Sequence, residues 1–215
     1  AGTVGIKEVL AKIDSQWAYD FNTELSLIGN DDCELGFRIA GSTGEKKCRE
    51  RIVEEMKAIG LQVSVDTYPV HAWEFKSATL TVNDTTFTLS EFAGTPGTNG
   101  DLTAEIVDCG DGTFANYEGK DCKGKIVLTH FDNYNYWFMA PAYQAELAGA
   151  KAIIVETVGE NYNLGSDTLY CFDVASRDTI PVLCITKNDC ATLTKMMAQG
   201  PVTGTLNVDA TIDYN

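Results

Sequence analysis

The chain reads as a mixed α/β protein: a partly parallel sheet with flanking helices and a β-hairpin, preceded by an N-terminal helical arm. Three observations carry this. Short apolar runs such as Ile126-Val127-Leu128 and Ala152-Ile153-Ile154-Val155 alternate with helical stretches, as strands of a parallel sheet buried on both faces do. Threonine-rich alternation on both sides of Asn83-Asp84 marks a hairpin. Ahead of both, residues 6–28 and 48–59 keep the helical period.

Taken in order, Ile6, Val9, Leu10, Ile13 and Trp17 recur at helical spacing, and a second helical stretch runs through Phe21, Leu25 and Ile28. The polar, acidic turn Gly29-Asn30-Asp31-Asp32 follows. Ser42-Thr43-Gly44-Glu45 has the form of a capping box, the Ser42 hydroxyl accepting from the Glu45 amide while the Glu45 carboxylate reaches back. Cys48, Ile52, Val53, Met56 and Ile59 then line one face, and Gly60 supplies the left-handed residue that stops the helix. From Leu61 the period changes to two, with Val63 and Val65 in step, which predicts a strand.

Beyond Pro69 the character changes. Residues 77–83 and 85–90 form the hairpin arms, and 92–101, glycine-rich with Pro96, form a loop. Residues 102–107 are a strand, turned at Gly110-Asp111-Gly112. Strands over 125–130, 152–155 and 180–185 are interleaved with a helix over 140–148 and a second one capped by Asn188 and ending near Gly200. Residues 202–212 alternate as a last strand. The expected division is an arm at 1–68 and a sheet domain at 69–215.

Composition narrows the partners. The 215 residues carry a net charge of −15, of which −11 falls on residues 71–215. Such a surface repels phosphate backbones, so no nucleic-acid partner is expected; high solubility is the plain consequence, with weak attraction for cationic peptides beside it. No run of 18 apolar residues occurs, so no membrane partner is expected. Ala1 follows no basic-plus-apolar leader; a cleaved leader would mean a secreted or cell-associated protein, and none a cytoplasmic one.

Candidate chemistry is sparse. Seven cysteines occur without a CxxC pair, and small buried thiols account for Cys48 and Cys184 more simply than a disulfide framework or a metal site. Cys109 and Cys122 flank one loop and could pair in an oxidising compartment. The two histidines, His71 and His130, sit in no H-E-x-x-H arrangement. His130 with Asp132 is the nearest approach to a ligand pair, too small a set to hold zinc. No G-x-S-x-G elbow is present. Gly41-Ser42-Thr43-Gly44 is explained by the helix cap, and Asp31, Asp32 and Glu34 read as a solvated acidic loop. No catalytic residue and no metal ligand is therefore expected.

Against this background several segments resemble a known family. Gly124-Lys125-Ile126-Val127-Leu128 resembles a strand of protease-associated (PA) domains, and residues 104–112 the strand and turn that lead into it. Residues 145–155 are similar to the helix, Gly-Ala turn and strand that follow. Ile180-Pro181-Val182 and the helix containing Leu193 complete the pattern. Residues 36–42 through Ile59-Gly60-Leu61 resemble the segment that opens zinc aminopeptidases of the aminopeptidase Y type. In those enzymes the PA domain is inserted between that segment and the catalytic zinc domain.

The resemblance implies a non-catalytic region of a zinc-dependent aminopeptidase, serving as a lid, a substrate-access surface or a protein-interaction surface; the alternative is a stand-alone PA-type protein-binding module. It implies no cofactor in this chain, with zinc only in a catalytic domain beyond Asn215. The implied partners are the catalytic domain of the same polypeptide and a peptide substrate or protein. Self-association of the fragment is a further expectation, because the apolar faces of the arm need a cover.

One surface feature stands out. Residues 131–138 contain five aromatic side chains, and a later loop carries Tyr162, Tyr170 and Phe172. Loops after neighbouring parallel strands lie side by side. Phe131, Phe138 and Phe172 read as rings that cover the sheet end. Tyr134, Tyr136, Trp137, Tyr162 and Tyr170 are the candidate substrate or partner surface, since Tyr and Trp combine an apolar body with a polar tip.

Overall fold

The computed structural model describes residues 5–29, 38–131, 139–157, 165–170 and 179–213. Its contacts separate two units, one made of Ala1–Arg38 and Ser42–Tyr68, the other of Ile39–Gly41 and Pro69–Asn215.

The first unit is helical: α1 (Ile6–Leu10), α2 (Ser15–Leu27) and α3 (Thr43–Ala58). The single helix expected through Trp17 is interrupted. Asp14 Oδ1 accepts from the Trp17 amide at 2.9 Å and starts α2 afresh, because an aspartate favours the cap over the helix interior. Trp17 thereby joins α2, where it stacks on Phe21 with ring centroids 5.2 Å apart. Arg51 of α3 reaches Glu24 at 2.5 Å and Glu55 at 3.0 Å, with its guanidinium 4.9 Å over the Phe21 ring. The Ser42 hydroxyl accepts from the Glu45 amide at 3.1 Å, and Gly60, at φ 88°, ends α3 as expected. Its amide donates to Lys57 O while that of Leu61 donates to Met56 O, a Schellman closure.

The strand expected after Gly60 is absent. Residues 61–71 adopt no regular element, and Leu61 and Val65 remain exposed. Period-two alternation needs a neighbouring strand to satisfy its backbone groups, and among the described residues none pairs with this segment. The unit builds no apolar core: every buried apolar side chain among the described residues lies at Trp73 or beyond, while Ile6 is 79% and Ile59 67% exposed.

The second unit is a closed seven-stranded barrel. Its strands are β1 (Ala72–Val82), β2 (Thr85–Glu91), β3 (Leu102–Asp108), β4 (Ile126–Phe131), β5 (Ala152–Thr157), β6 (Val182–Ile185) and β7 (Val202–Asp213). Around the barrel they run β1-β2-β6-β5-β4-β3-β7. β3, β4, β5 and β6 are successively parallel; the β1–β2 hairpin and β7 are antiparallel to their neighbours. The mixed α/β class, the partly parallel sheet and the hairpin stand; the sheet closes into a barrel, a detail the sequence reading did not include. β7 causes the closure by pairing along one edge with β1, from Ala72↔Asp213 to Thr81↔Thr205, and along the other with β3. A register shift between Phe75 and Ser77 lets β1 bend, as bulges do.

Among the described residues, three helices accompany the barrel: α4 (Phe114–Tyr117), α5 (Ala140–Leu147) and α6 (Lys187–Met197). α4 has no counterpart in the sequence reading. The cap of α6 also differs: Thr186, not Asn188, accepts from the Asp189 amide, at 3.1 Å. The apolar runs are buried on both faces, as read. Val127, Ile153, Val155, Val182 and Cys184 pack with Ala142 and Ala145 of α5. Ile126, Leu128, Ile154 and Leu183, alternating with them, are fully buried on the other side. There β7 must present a glycine. A Cβ on Gly204 would lie 2.8 Å from Leu80 Cδ1 and 2.9 Å from Ile106 Cδ1.

Candidate functional site

Because β3, β4 and β5 are parallel, their carboxyl ends emerge together, the position where parallel sheets gather ligands. Each end carries a polar residue. Asp108 is the last residue of β3, His130 the last but one of β4, and Glu156 the last but one of β5. His130 and Glu156 are register partners on adjacent strands, so their side chains share a face. α6, which follows β6, adds Cys190.

The imidazole of His130 is held on both sides. Its Nδ1 lies 2.5 Å from Glu156 Oε2 and 3.9 Å from Cys190 Sγ, and its Nε2 lies 3.5 Å from Asp108 Oδ2. Asp108 is fixed in turn, its Oδ1 accepting from the Gly110 amide at 2.7 Å, while the His130 amide donates to Gly110 O. The His130 side chain is 26% exposed and that of Glu156 14%; Cys190 is buried.

The electrostatics follow from this geometry. Hydrogen bonding to Asp108, then to Cys190 and Glu156, pushes the His130 pKa up to about 12, and the same histidine holds the Asp108 carboxyl below its ordinary range. Burial raises the Cys190 thiol. With an acceptor facing each ring nitrogen, the clamp favours the protonated ring. Nearby, the buried Cys109 and Cys122 sulfurs lie 3.5 Å apart. Burial, and then the neighbouring Cys122, push the Cys109 thiol up to about 12. Both are free thiols here, and such thiols are poor nucleophiles.

A dinuclear hydrolytic zinc centre does not fit these residues. The chain has two histidines; His71 is an exposed residue just before β1, and His130 is clamped at the end of β4. Such centres need several imidazoles and carboxylates converging on two ions.

Of the sequence-derived surface residues, Tyr134, Tyr136, Trp137 and Tyr162 lie outside the described residues, as does Asp132. Tyr170 is half-buried against the cluster containing Phe92 and Cys109, and its carbonyl accepts from the Ser90 hydroxyl at 2.6 Å. Among the described residues His130 meets Glu156, Asp108 and Cys190. Sequence reasoning missed Asp108, Glu156 and Cys190 as companions of His130. The available signal was positional: polar residues closing consecutive parallel strands share one edge.

The barrel and the parallel strand–helix succession around it define the class. Residues 100–193 match the PA domain, and the chain is similar to a part of several bacterial aminopeptidases. Over 162 residues it is 30% identical to aminopeptidase YwaD of Bacillus subtilis (strain 168), a stretch that covers 75% of this chain and 34% of that protein. The structure of BSAP, a zinc aminopeptidase from Bacillus subtilis, superposes with a TM-score of 0.66 at 26% identity, covering 92% of this chain and 44% of that one. The aminopeptidase from Aneurinibacillus sp. strain AM-1 gives 0.61 at 25% identity, covering 94% and 46%. The chain therefore spans between a third and a half of the length of these relatives.

Proposed function

We propose that this chain is the non-catalytic region of a zinc-dependent aminopeptidase: a PA domain at residues 69–215 that shapes substrate access or binds protein, and a helical arm at 1–68 that leads into the catalytic domain. The observation that carries this reading is homology to zinc aminopeptidases over less than half their length, on a chain with two histidines. Zinc then belongs to the catalytic domain of the same polypeptide. The exposed apolar side chains of the arm, Ile6, Leu10 and Ile59 among them, support packing against that domain, since contiguous apolar surface seldom stays wet.

Tyr134, Tyr136, Trp137, Tyr162 and Tyr170 serve as the surface toward the catalytic domain or the peptide. The supporting observation is that β4 and β5, which lead into the two aromatic loops, are adjacent and parallel, with Phe131 opposite Thr157. The test is aminopeptidase assay of the longer polypeptide carrying the double change Tyr136→Ala and Trp137→Ala, beside a thermal melt. The reading expects lower kcat/KM on peptides at unchanged stability. Unchanged kinetics removes the surface role.

A further inference from the structure

The His130 cluster has a composition that an ion pair alone does not require. One imidazole nitrogen, one carboxylate oxygen and one thiol sulfur converge, from His130, Glu156 and Cys190, with all three atoms within 4.8 Å of one another. The residues come from three separate elements, β4, β5 and α6. We propose that His130 Nδ1, a Glu156 carboxylate oxygen and Cys190 Sγ form a binding site for one zinc ion, with Asp108 as the positioning partner of the histidine.

The chemistry of the donors selects the ion. A thiolate beside an imidazole disfavours magnesium and calcium and suits zinc, which takes mixed N, O and S ligands in a tetrahedron. With Zn–N and Zn–O near 2.0–2.1 Å and Zn–S near 2.3 Å, neighbouring ligand atoms stand roughly 3.3–3.6 Å apart. The Nδ1–Sγ separation of 3.9 Å is a few tenths of an ångström wide of that. The Nδ1–Oε2 separation of 2.5 Å opens by roughly 1 Å as zinc comes between the two atoms, a movement within reach of the Glu156 side-chain torsions. Nε2, facing Asp108 at 3.5 Å, keeps its proton; this is the carboxylate–histidine–metal arrangement in which an outer carboxylate fixes the tautomer and ring plane. The Gly110 amide holds that carboxylate in place.

Binding replaces two protons, one from Nδ1 and one from the Cys190 thiol, with one ion. His130 and Glu156 are partly exposed, and water is the ordinary fourth ligand of a three-ligand zinc site. The consequence is structural: the ion ties α6 to the edge formed by β4 and β5.

The test uses the full 215-residue chain, freed of metal by a chelator and then titrated with cobalt(II) and with zinc(II). We expect one equivalent of cobalt to give a thiolate-to-cobalt charge-transfer band in the near ultraviolet with strong tetrahedral visible bands, and one equivalent of zinc to remove them. Cys190→Ser and His130→Gln should each abolish the ultraviolet band and weaken zinc binding at least ~10-fold, and Asp108→Asn should weaken it roughly 10–100-fold while keeping the band. Cys48→Ser, in the other unit, should change nothing. An octahedral cobalt spectrum without the thiolate band, or no zinc bound beyond buffer background, overturns the site from the unsubstituted chain alone. So does a band that survives Cys190→Ser.

Discussion

Gly97 is where a single methyl group tests the barrel most severely. A Cβ there would lie 2.4 Å from Ala210 O and 3.1 Å from Val208 O, both backbone atoms of β7 that cannot swing aside as a side-chain tip can. The glycine loop is laced to β7 at this point: the Thr98 amide donates to Val208 O at 3.1 Å, and Val208 N donates to Thr98 Oγ1 at 2.9 Å. To accept alanine the loop must retreat by close to 1 Å, which strains or breaks both bonds, each worth about 1 kcal/mol, and adds an overpacking penalty of about 1–3 kcal/mol. The opposing gain, from restricting the unfolded chain, is about 0.4–1 kcal/mol. With both bonds lost the net loss is about 2–5 kcal/mol, which for a domain of this size lowers Tm by roughly 4–20 °C. Thermal unfolding of Gly97→Ala followed by circular dichroism measures it, with Gly5→Ala, where no atom lies within 4 Å, as the control. A Tm equal to or above that of the unsubstituted chain refutes the close approach of loop and strand on which the reasoning rests.

Other predictions follow from the same packing. Gly204→Ala places its methyl against Leu80 and Ile106, both buried, and should lower stability by about 1–2 kcal/mol, read in urea unfolding as a lower midpoint at unchanged slope. Thr186→Ala removes the cap of α6 and should cost about 1 kcal/mol, whereas Asn188→Ala costs less; comparing the two melts decides which residue caps. Alkylation of the native chain should modify half-buried Cys48 well before Cys109 and Cys122, which are buried and chemically quiet; peptide mass mapping over time shows the order.

How much of this was legible in the residues depends on whether the determinant is local. The hairpin at Asn83, the end of α3 at Gly60 and the two-sided burial of Ile126-Val127-Leu128 are set by neighbours in sequence, and all are found. The break at Asp14 and the cap at Thr186 are local too, but they are choices between adjacent polar residues, Thr186 against Asn188, which periodicity does not resolve. Barrel closure was not legible, because alternation says that residues 202–212 form a strand and is silent on which two strands it joins. The failed strand at Leu61 shows the converse: the pattern was present and the partner was not. At the site, spacing in the chain offers His130 only Asp132, which lies outside the described residues. The histidine's partners Asp108, Glu156 and Cys190 come together only through the parallel register of β3–β5 and the placement of α6, which no spacing within the chain records.

The proposed function assigns peptide hydrolysis to a catalytic domain and not to these residues. The most direct test is to assay the purified 215-residue chain, loaded with one equivalent of zinc, for hydrolysis of aminoacyl-p-nitroanilides. Turnover is expected to stay at the rate of the protein-free buffer. Release of nitroaniline that scales with the chain, stops with a chelator and returns with zinc would contradict the assignment.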